Sequence, residues 1–170
     1  VVTTKTVSDA SSDGIAQPNE VLTYNLKVTN TSSSVLVDPV VVSDDVVNQL
    51  GTYTNVTASD PVTLTTTGSA VFTPSIATID TLKSGISISG LLPGETATIS
   101  FTVTTNNDLP INTELTNVAS VDAGSGAHLP GVGIPTRSQN DLTKTVTPDT
   151  GITSGDTVRY EVAIGPLVKD

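Results

Sequence analysis

The sequence contains no cysteine, methionine or tryptophan, and aromatic residues make up only 3% of its 170 residues. Without cysteine there are no disulfides and there is no thiolate chemistry, so an extracellular domain of this composition needs another source of stability. Basic residues are also scarce, because 7 Lys and Arg oppose 17 Asp and Glu, for a net charge of −10. This balance argues against nucleic acid, which needs a basic footprint, and against anionic membrane surfaces.

Long apolar runs are missing as well. None approaches the roughly 18 residues that span a bilayer, so no membrane insertion is expected for this segment. The chain is rich in Val, Thr and Ser and is punctuated by 13 Gly and 10 Pro. β-Branched residues favour strands, and frequent Gly and Pro are typical of the turns between strands. We find no nucleophilic triad, phosphate loop or calcium loop, and we expect no cofactor and no metal.

Clear two-residue periodicity marks three segments as half-buried strands. They are residues 21–30, 96–104 and 115–121. About seven short strands with turn signals between them predict an all-β, immunoglobulin-like β-sandwich. The Thr-rich stretch 46–80 is weakly patterned, and we interpret it as one or two irregular strands with an insertion-like loop.

Three polar side chains share the faces of apolar neighbours. Asn117 lies on the apolar face of the strand 115–121, and a buried amide without partners costs roughly 1–3 kcal/mol. Asn117 is therefore either well hydrogen-bonded or present for its chemistry. Asp44 has the same parity as Val42, and Lys5 lies on the inward face of the first strand. The pattern predicts an amine, a carboxyl and an amide inside one core.

An internal repeat divides the chain. The Thr-Lys-Thr-Val sequence at 4–7 recurs at 143–146, and residues 155–160 parallel 19–24. We therefore predict a complete repeat over residues 1–123, a Gly- and Pro-rich linker over 124–140, and a partial second repeat over 141–170 that holds only the first strands.

Four motifs occur in order: Thr-Lys-Thr-Val at 4–7, Val-Val-Ser-Asp at 41–44, Leu-Pro-Gly-Glu-Thr-Ala-Thr-Ile-Ser-Phe-Thr-Val at 92–103, and Leu-Thr-Asn-Val-Ala-Ser-Val at 115–121. This set resembles the tandem-repeat "domain of unknown function" family of bacterial and archaeal surface proteins. It is also similar to the collagen-adhesin modules of Gram-positive bacteria, some of which form a spontaneous Lys–Asn isopeptide bond beside a catalytic acid. The resemblance implies immunoglobulin-type sandwiches strung into stalks, outside the cell and at its surface or anchored in its wall.

Carried over to this sequence, the resemblance implies that Lys5 and Asn117 form the crosslink and that Asp44 is the acid. Asp45 competes for the acid role, but its parity is outward. Such a bond needs a neutral amine, which burial favours, and a protonated carboxyl that polarises the amide carbonyl. Two alternatives remain open. One is a noncovalent buried cluster of the same three residues, and the other is a solvated Lys5 on an edge strand.

The expected function is that of a structural stalk or fibre module of a bacterial adhesin or filament. The expected chemistry is a single-turnover crosslink, and we expect no enzyme activity beyond it. Lys144, the repeat's counterpart of Lys5, gives an intersubunit crosslink if the tail strands complete a neighbouring subunit. Expected partners are neighbouring repeats or subunits of the same protein and a host or matrix ligand. The alternative function is that of a ligand-binding adhesin domain that uses residues 51–80.

Overall fold

Strands dominate the structure, a computed structural model that describes residues 1–124, 127–137, 142–147, 153–154 and 157–164. The chain divides into two units, Val1–Arg137 and Ser138–Asp170. The elements of the first unit are, in order, β1 (Val2–Asp9), β2 (Val21–Thr29), β3 (Val40–Ser43), α1 (Val46–Leu50), β4 (Pro61–Thr66), β5 (Val71–Thr73), β6 (Ala77–Thr78), α2 (Ile79–Ser84), β7 (Ile86–Ser89), β8 (Thr96–Thr104), β9 (Glu114–Val118), β10 (Ser120–Asp122), β11 (Ala127–His128) and β12 (Gly131–Pro135). The second unit contains β13 (Leu142–Thr147) and β14 (Arg159–Ile164).

Two antiparallel sheets enclose the core of the first unit. One has the strand order β1-β2-β8-β4-β6 and the other the order β11-β10-β3-β7-β5, with β12 and β9 forming a further pair. Apolar side chains from both sheets form one buried cluster, to which Tyr24 and Phe101 contribute from the first sheet and Val42 and Ile88 from the second. The prediction of an all-β, immunoglobulin-like sandwich is confirmed.

Two of the three periodic segments form single strands as predicted, whereas 115–121 divides at Ala119 into β9 and β10. β2 and β8 pair along their whole length, from Val21 opposite Thr104 to Thr29 opposite Thr96. Every second residue of both strands is buried, because successive side chains of a strand point to opposite faces. β9 buries Asn117 with the parity predicted from its sequence.

The predicted linker over 124–140 is wrong for residues 127–137. These residues form β11 and β12, which pair with β10 and β9 inside the first unit. The physical reason lies in the glycines, since a Cβ at Gly131 would meet a methyl carbon of Val118 at 3.1 Å. Glycine here permits close approach to β9, whereas composition alone suggested flexibility.

The stretch 46–80 is only partly strand. It contains β4, β5 and β6, but also α1 and the first residues of α2, which the interpretation as irregular strands missed. α2 begins at a capping box in which the side chains of Thr78 and Thr81 each accept a hydrogen bond from the other's backbone N–H. The usual capping-box sequence has Glu or Gln at the second of these positions, so the sequence does not mark the beginning of α2. Among the described residues, no helix has both the length and the apolar character of a membrane span.

The second unit repeats a strand pairing of the first. β13 and β14 are antiparallel with Lys144 opposite Val162, and β1 and β2 are antiparallel with Lys5 opposite Leu26. Leu26 and Val162 each lie two residues after the tyrosine shared by the two copies. The repeated sequence therefore carries the same register. Residues 155–156, which belong to the predicted repeat, lie outside the described residues.

Candidate functional site

Lys5, Asp44 and Asn117 meet in the core of the first unit. The Nζ of Lys5 donates a hydrogen bond to Oδ2 of Asp44 at 2.5 Å. The Nδ2 of Asn117 donates to Oδ1 of Asp44 at 2.9 Å. The carboxyl group therefore lies between the amine and the amide and touches both.

Each of the three residues is held by a different part of the fold. Lys5 lies in the middle of β1, and Asn117 lies in β9, where it faces Val132 of β12. Asp44 follows β3 directly, and its backbone N–H donates to the carbonyl of Leu82 in α2. A carboxyl at the end of a strand, backed by a helix, is thus directed into the sandwich.

The side chains of all three residues are buried from solvent. Lys5 is 8% exposed, Asp44 3% and Asn117 0%. The alternative of a solvated lysine on an edge strand is therefore wrong, although β1 does lie at the end of its sheet. The remaining two possibilities, a covalent bond and a noncovalent cluster, share this arrangement.

Burial moves both titratable groups toward their neutral forms. Desolvation lowers the pKa of Lys5, and the attraction and hydrogen bond of Asp44 oppose that shift. Desolvation also raises the pKa of Asp44, against the charge and hydrogen bond of Lys5 and the hydrogen bond of Asn117. The negative charge of Asp45 adds to the rise. The free-energy difference between the ion pair and the pair of neutral groups is therefore smaller here than it would be in water.

Two aromatic rings cover the amine. Tyr24 and Phe101 lie opposite each other on β2 and β8, with ring centroids 5.2 Å apart in a stacked arrangement. The Nζ of Lys5 is 5.9 Å from the centroid of Tyr24 and 6.0 Å from that of Phe101. The chain has only two Phe, three Tyr and no Trp. Two of these five aromatic side chains therefore lie next to the amine of Lys5.

Two buried polar atoms near the site have no hydrogen-bond partner among the described residues. They are the carbonyl oxygen Oδ1 of Asn117 and the hydroxyl of Tyr24. An unpaired buried acceptor costs about 1–3 kcal/mol. The amide of Asn117 therefore keeps a free carbonyl oxygen that a nearby acid proton would satisfy.

We expect Tyr24→Phe to leave the free energy of unfolding unchanged or to raise it by up to about 1 kcal/mol. The substitution removes a buried hydroxyl that makes no hydrogen bond and keeps the ring that covers Lys5. Burial and the charge of Asp44 raise the pKa of Tyr24, so the hydroxyl carries no charge that the domain would lose. Urea unfolding measures the change, and Tyr53→Phe, at a half-buried site, is the control. A loss above about 1 kcal/mol would mean that the hydroxyl has a partner in the folded protein.

Asp45 points away from the cluster, as its parity predicts. Its Oδ2 lies 3.2 Å from Nζ of Lys83 and accepts a hydrogen bond from the side chain of Asn48. In this structure Asp44, and not Asp45, contacts Lys5 and Asn117.

Gln49 is a neighbour of the cluster that sequence reasoning missed. Its Nε2 donates to the carbonyl of Val118 at 2.9 Å and to Oδ1 of Asp44 at 3.2 Å. Its Oε1 accepts from the N–H of Val118 at 2.6 Å. No sequence signal marks it, because Gln49 lies in the weakly patterned stretch and on a helix of only five residues.

The segment 51–80, expected to carry a binding surface in the alternative function, is built into the sandwich. β4 lies between β8 and β6, and Val62 and Ala77 belong to the buried core. A shallow depression of about 390 Å³ on this sheet includes Pro61 and Thr63 among its lining residues. Within the described ranges, no group of three or more His, Cys, Asp and Glu side chains is placed to hold a metal ion.

Comparisons with protein-family models and with curated proteins gave no match. Among solved structures, the chain is similar to domains D2 and D3 of the major pilin SpaD from Corynebacterium diphtheriae, at 15% identity and a TM-score of 0.46 over 85% of this chain and 54% of that one. It is similar to the collagen-binding domain of a Staphylococcus aureus adhesin, at 12% identity and a TM-score of 0.45 over 80% of this chain and 98% of that one. A third similar structure is the major pilin SpaA from C. diphtheriae, at 12% identity and a TM-score of 0.46 over 86% of this chain and 40% of that one. The chain thus spans about half of the SpaD fragment and less than half of SpaA. Residue roles do not follow from likenesses this distant and are inferred below from the geometry of this chain.

Proposed function

We propose that this chain is a structural module of a bacterial cell-surface stalk or filament, and that an isopeptide bond joins the side chains of Lys5 and Asn117. The supporting observation is the buried contact of Asp44 with both the amine of Lys5 and the amide of Asn117. The three residue types are those that the reaction requires, and burial favours the protonation states that it requires.

The reaction begins with a proton transfer. The ammonium of Lys5 gives a proton to Oδ2 of Asp44 across the 2.5 Å contact, which leaves a neutral amine and a neutral acid. The Asn117 amide turns so that its unpaired Oδ1 accepts a hydrogen bond from the acid, and the carbonyl carbon becomes more electrophilic. The amine lone pair then attacks Cγ of Asn117.

The tetrahedral intermediate collapses when the leaving nitrogen gains a proton through Asp44. The bond between Cγ and Nδ2 breaks, ammonia leaves, and a secondary amide joins Nζ to Cγ. A primary amide and an amine become a secondary amide and ammonia, and Asp44 keeps one proton. No oxidant, metal or cofactor enters the balance.

The location of the bond explains the structural role. β1 is the first strand of the unit and β9 comes near its end, so the bond closes most of the first unit into a covalent loop. A cysteine-free domain gains in this way the crosslink that extracellular domains usually obtain from disulfides. The sequence resemblance to repeat proteins of cell surfaces supports the extracellular location.

Intact-mass measurement tests the bond. The folded protein is expected about 17 Da below its calculated mass, because one ammonia is lost. Lys5→Met, Asp44→Ala and Asn117→Ala are each expected at their full calculated masses. Lys144→Ala is the matched control, since it removes the repeated lysine and is expected to keep the deficit. Circular dichroism confirms that each variant is folded.

Two outcomes decide whether the bond between Lys5 and Asn117 forms. Fragmentation of the digested protein should yield one branched peptide that contains both Lys5 and Asn117. A folded protein at its full calculated mass would reject the bond and leave the noncovalent cluster as the account of the site.

The proposal extends to Lys144, which has the repeat position and the strand register of Lys5. Its acid and amide partners would come from a neighbouring repeat or subunit of the same protein. Covalent oligomers on a denaturing gel that disappear in Lys144→Ala would support an intersubunit bond. Monomers alone at high protein concentration would count against it.

A further inference from the structure

The edge of β9 next to the cluster is completed by a side chain. β3 pairs with β10 through Ser43 opposite Ser120, and the chain then turns away into α1. In an antiparallel ladder the next residue of β9 to need a partner on this side is Val118. Its N–H and its carbonyl are both bound by the side-chain amide of Gln49, at 2.6 and 2.9 Å. Gln49 thus takes the place of the strand that ended at Ser43.

The same amide also touches the acid. The second hydrogen of its Nε2 reaches Oδ1 of Asp44 at 3.2 Å, and that oxygen also accepts from Asn117 at 2.9 Å. Oδ2 of Asp44 is left to Lys5. One side chain therefore connects the acid to the peptide unit that follows Asn117 and fixes which carboxyl oxygen faces the amine.

We infer that Gln49 is a positioning residue for the bond between Lys5 and Asn117, an inference that rests on the proposed function. Gln49 touches neither reacting atom. It acts by holding the carboxyl of Asp44 and the backbone of Asn117 at a fixed separation, with all of its amide groups in use. Rates of reactions between prepositioned groups depend steeply on geometry, and a displacement of about 1 Å can cost 100-fold.

The expected effect is on the rate of ammonia loss. Chains are translated in a cell-free system, transferred at once into denaturant and purified before they fold. Dilution into buffer starts folding, and intact mass follows the deficit over time. Gln49→Ala is expected to react about 10- to 100-fold more slowly than the natural chain. Asn48→Ala, an amide removed from the adjacent exposed position of the same helix, is expected to react at the natural rate.

Gln49→Glu separates positioning from a purely structural role. An ionised Glu can still accept from the N–H of Val118, but it can donate neither to Asp44 nor to the carbonyl of Val118, so the contacts that hold the carboxyl in place are lost. A protonated Glu regains one donor. The rate of Gln49→Glu relative to the natural chain at the same pH is therefore expected to be low at pH 7 and to rise as the pH falls toward 4.

The outcomes are distinguishable. If the natural chain folds without losing ammonia, the proposed function itself fails. If the natural chain reacts and Gln49→Ala reacts at the same rate, only the positioning role fails. If Gln49→Ala is slow but the relative rate of Gln49→Glu does not change with pH, Gln49 supports the fold alone and the inference is overturned. A slow Gln49→Ala with native circular dichroism, together with the pH-dependent recovery, supports it.

Discussion

Asn117→Ala is expected to lower the free energy of unfolding by about 5 kcal/mol. The proposed bond to Lys5 would close a loop of about 110 residues, and chain-entropy estimates for a crosslink of that length give about 4–5 kcal/mol. The Nδ2 donor of Asn117 leaves as ammonia when the bond forms, so its hydrogen bond to Asp44 adds nothing to this loss. At roughly 3 °C per kcal/mol for a domain of this size, the midpoint of thermal unfolding should fall by about 15 °C.

Asn30→Ala is the matched control for this loss. Asn30 is as buried as Asn117, and its Nδ2 donates to the carbonyls of Val35 and Leu91 at 2.9 and 2.8 Å. Its removal costs about 1–3 kcal/mol of hydrogen bonding but leaves the crosslink, so the ammonia deficit stays. The comparison separates the cost of losing a buried amide from the cost of losing the covalent bond.

A double-mutant cycle sharpens the test. Lys5→Met and Asn117→Ala remove the same bond, so the double variant should be little less stable than either single one. The coupling energy expected from the cycle is about 4 kcal/mol, well above the 0.5–3 kcal/mol typical of noncovalent neighbours. Additive losses in denaturant unfolding would show that no covalent bond links the two positions.

Lys5→Met is expected to give the domain a steep pH dependence. The substitution keeps the side-chain volume, prevents the proposed bond and leaves Asp44 without the cation that opposes the rise in its pKa in the unreacted chain. Folding then requires a protonated Asp44, since a buried carboxylate without a partner is strongly unfavourable. The free energy of unfolding should fall as the pH rises, by up to about 1.4 kcal/mol per pH unit.

The sign of this pH dependence follows from the linkage between proton binding and folding. The pKa of Asp44 in the folded protein lies above its value in the unfolded chain, which is about 3.9. The unfolded state therefore releases its proton first as the pH rises. The free energy of unfolding is highest below about pH 4. It decreases as the pH rises, until the pH exceeds the pKa of Asp44 in the folded protein.

The double variant Lys5→Met/Asp44→Asn is the control, because it replaces the carboxyl with a neutral group of the same shape. The stability difference between the single and the double variant should grow from pH 4 to pH 7 in urea unfolding. A difference that stays constant, or a single variant that becomes more stable with rising pH, would contradict the burial of an unpaired acid.

The parts of the site that lie on regular strands were predictable from the sequence. Asn117 and Lys5 are buried as the two-residue period of their strands requires, and Asp44 continues the parity of Val42 one step beyond the strand end. The face on which a strand residue lies follows from the local sequence, so it can be predicted without knowing which strands pair. The pattern placed the three groups inside one core, but their direct contact was implied only by the resemblance.

Other parts depend on contacts that the sequence does not show. α1 has only five residues, too few for a helical period, and the role of Gln49 arises from the open edge of β9. Gly131 and Gly133 suggested a linker because glycine signals flexibility and close packing equally well. Only the pairing of β12 with β9 distinguishes the two meanings.

The position of β12 has a mechanical consequence. The segment that contains β10, β11 and β12 follows Asn117 and so lies outside the proposed covalent loop, and hydrogen bonds and packing hold it in place. Under tension the proposed bond between β1 and β9 would carry the load without lengthening, while this segment of about 20 residues could detach and release about 70 Å of chain. A stalk of such modules would combine rigid links with short extensible ones, and would dissipate a sudden pull before any covalent bond is strained.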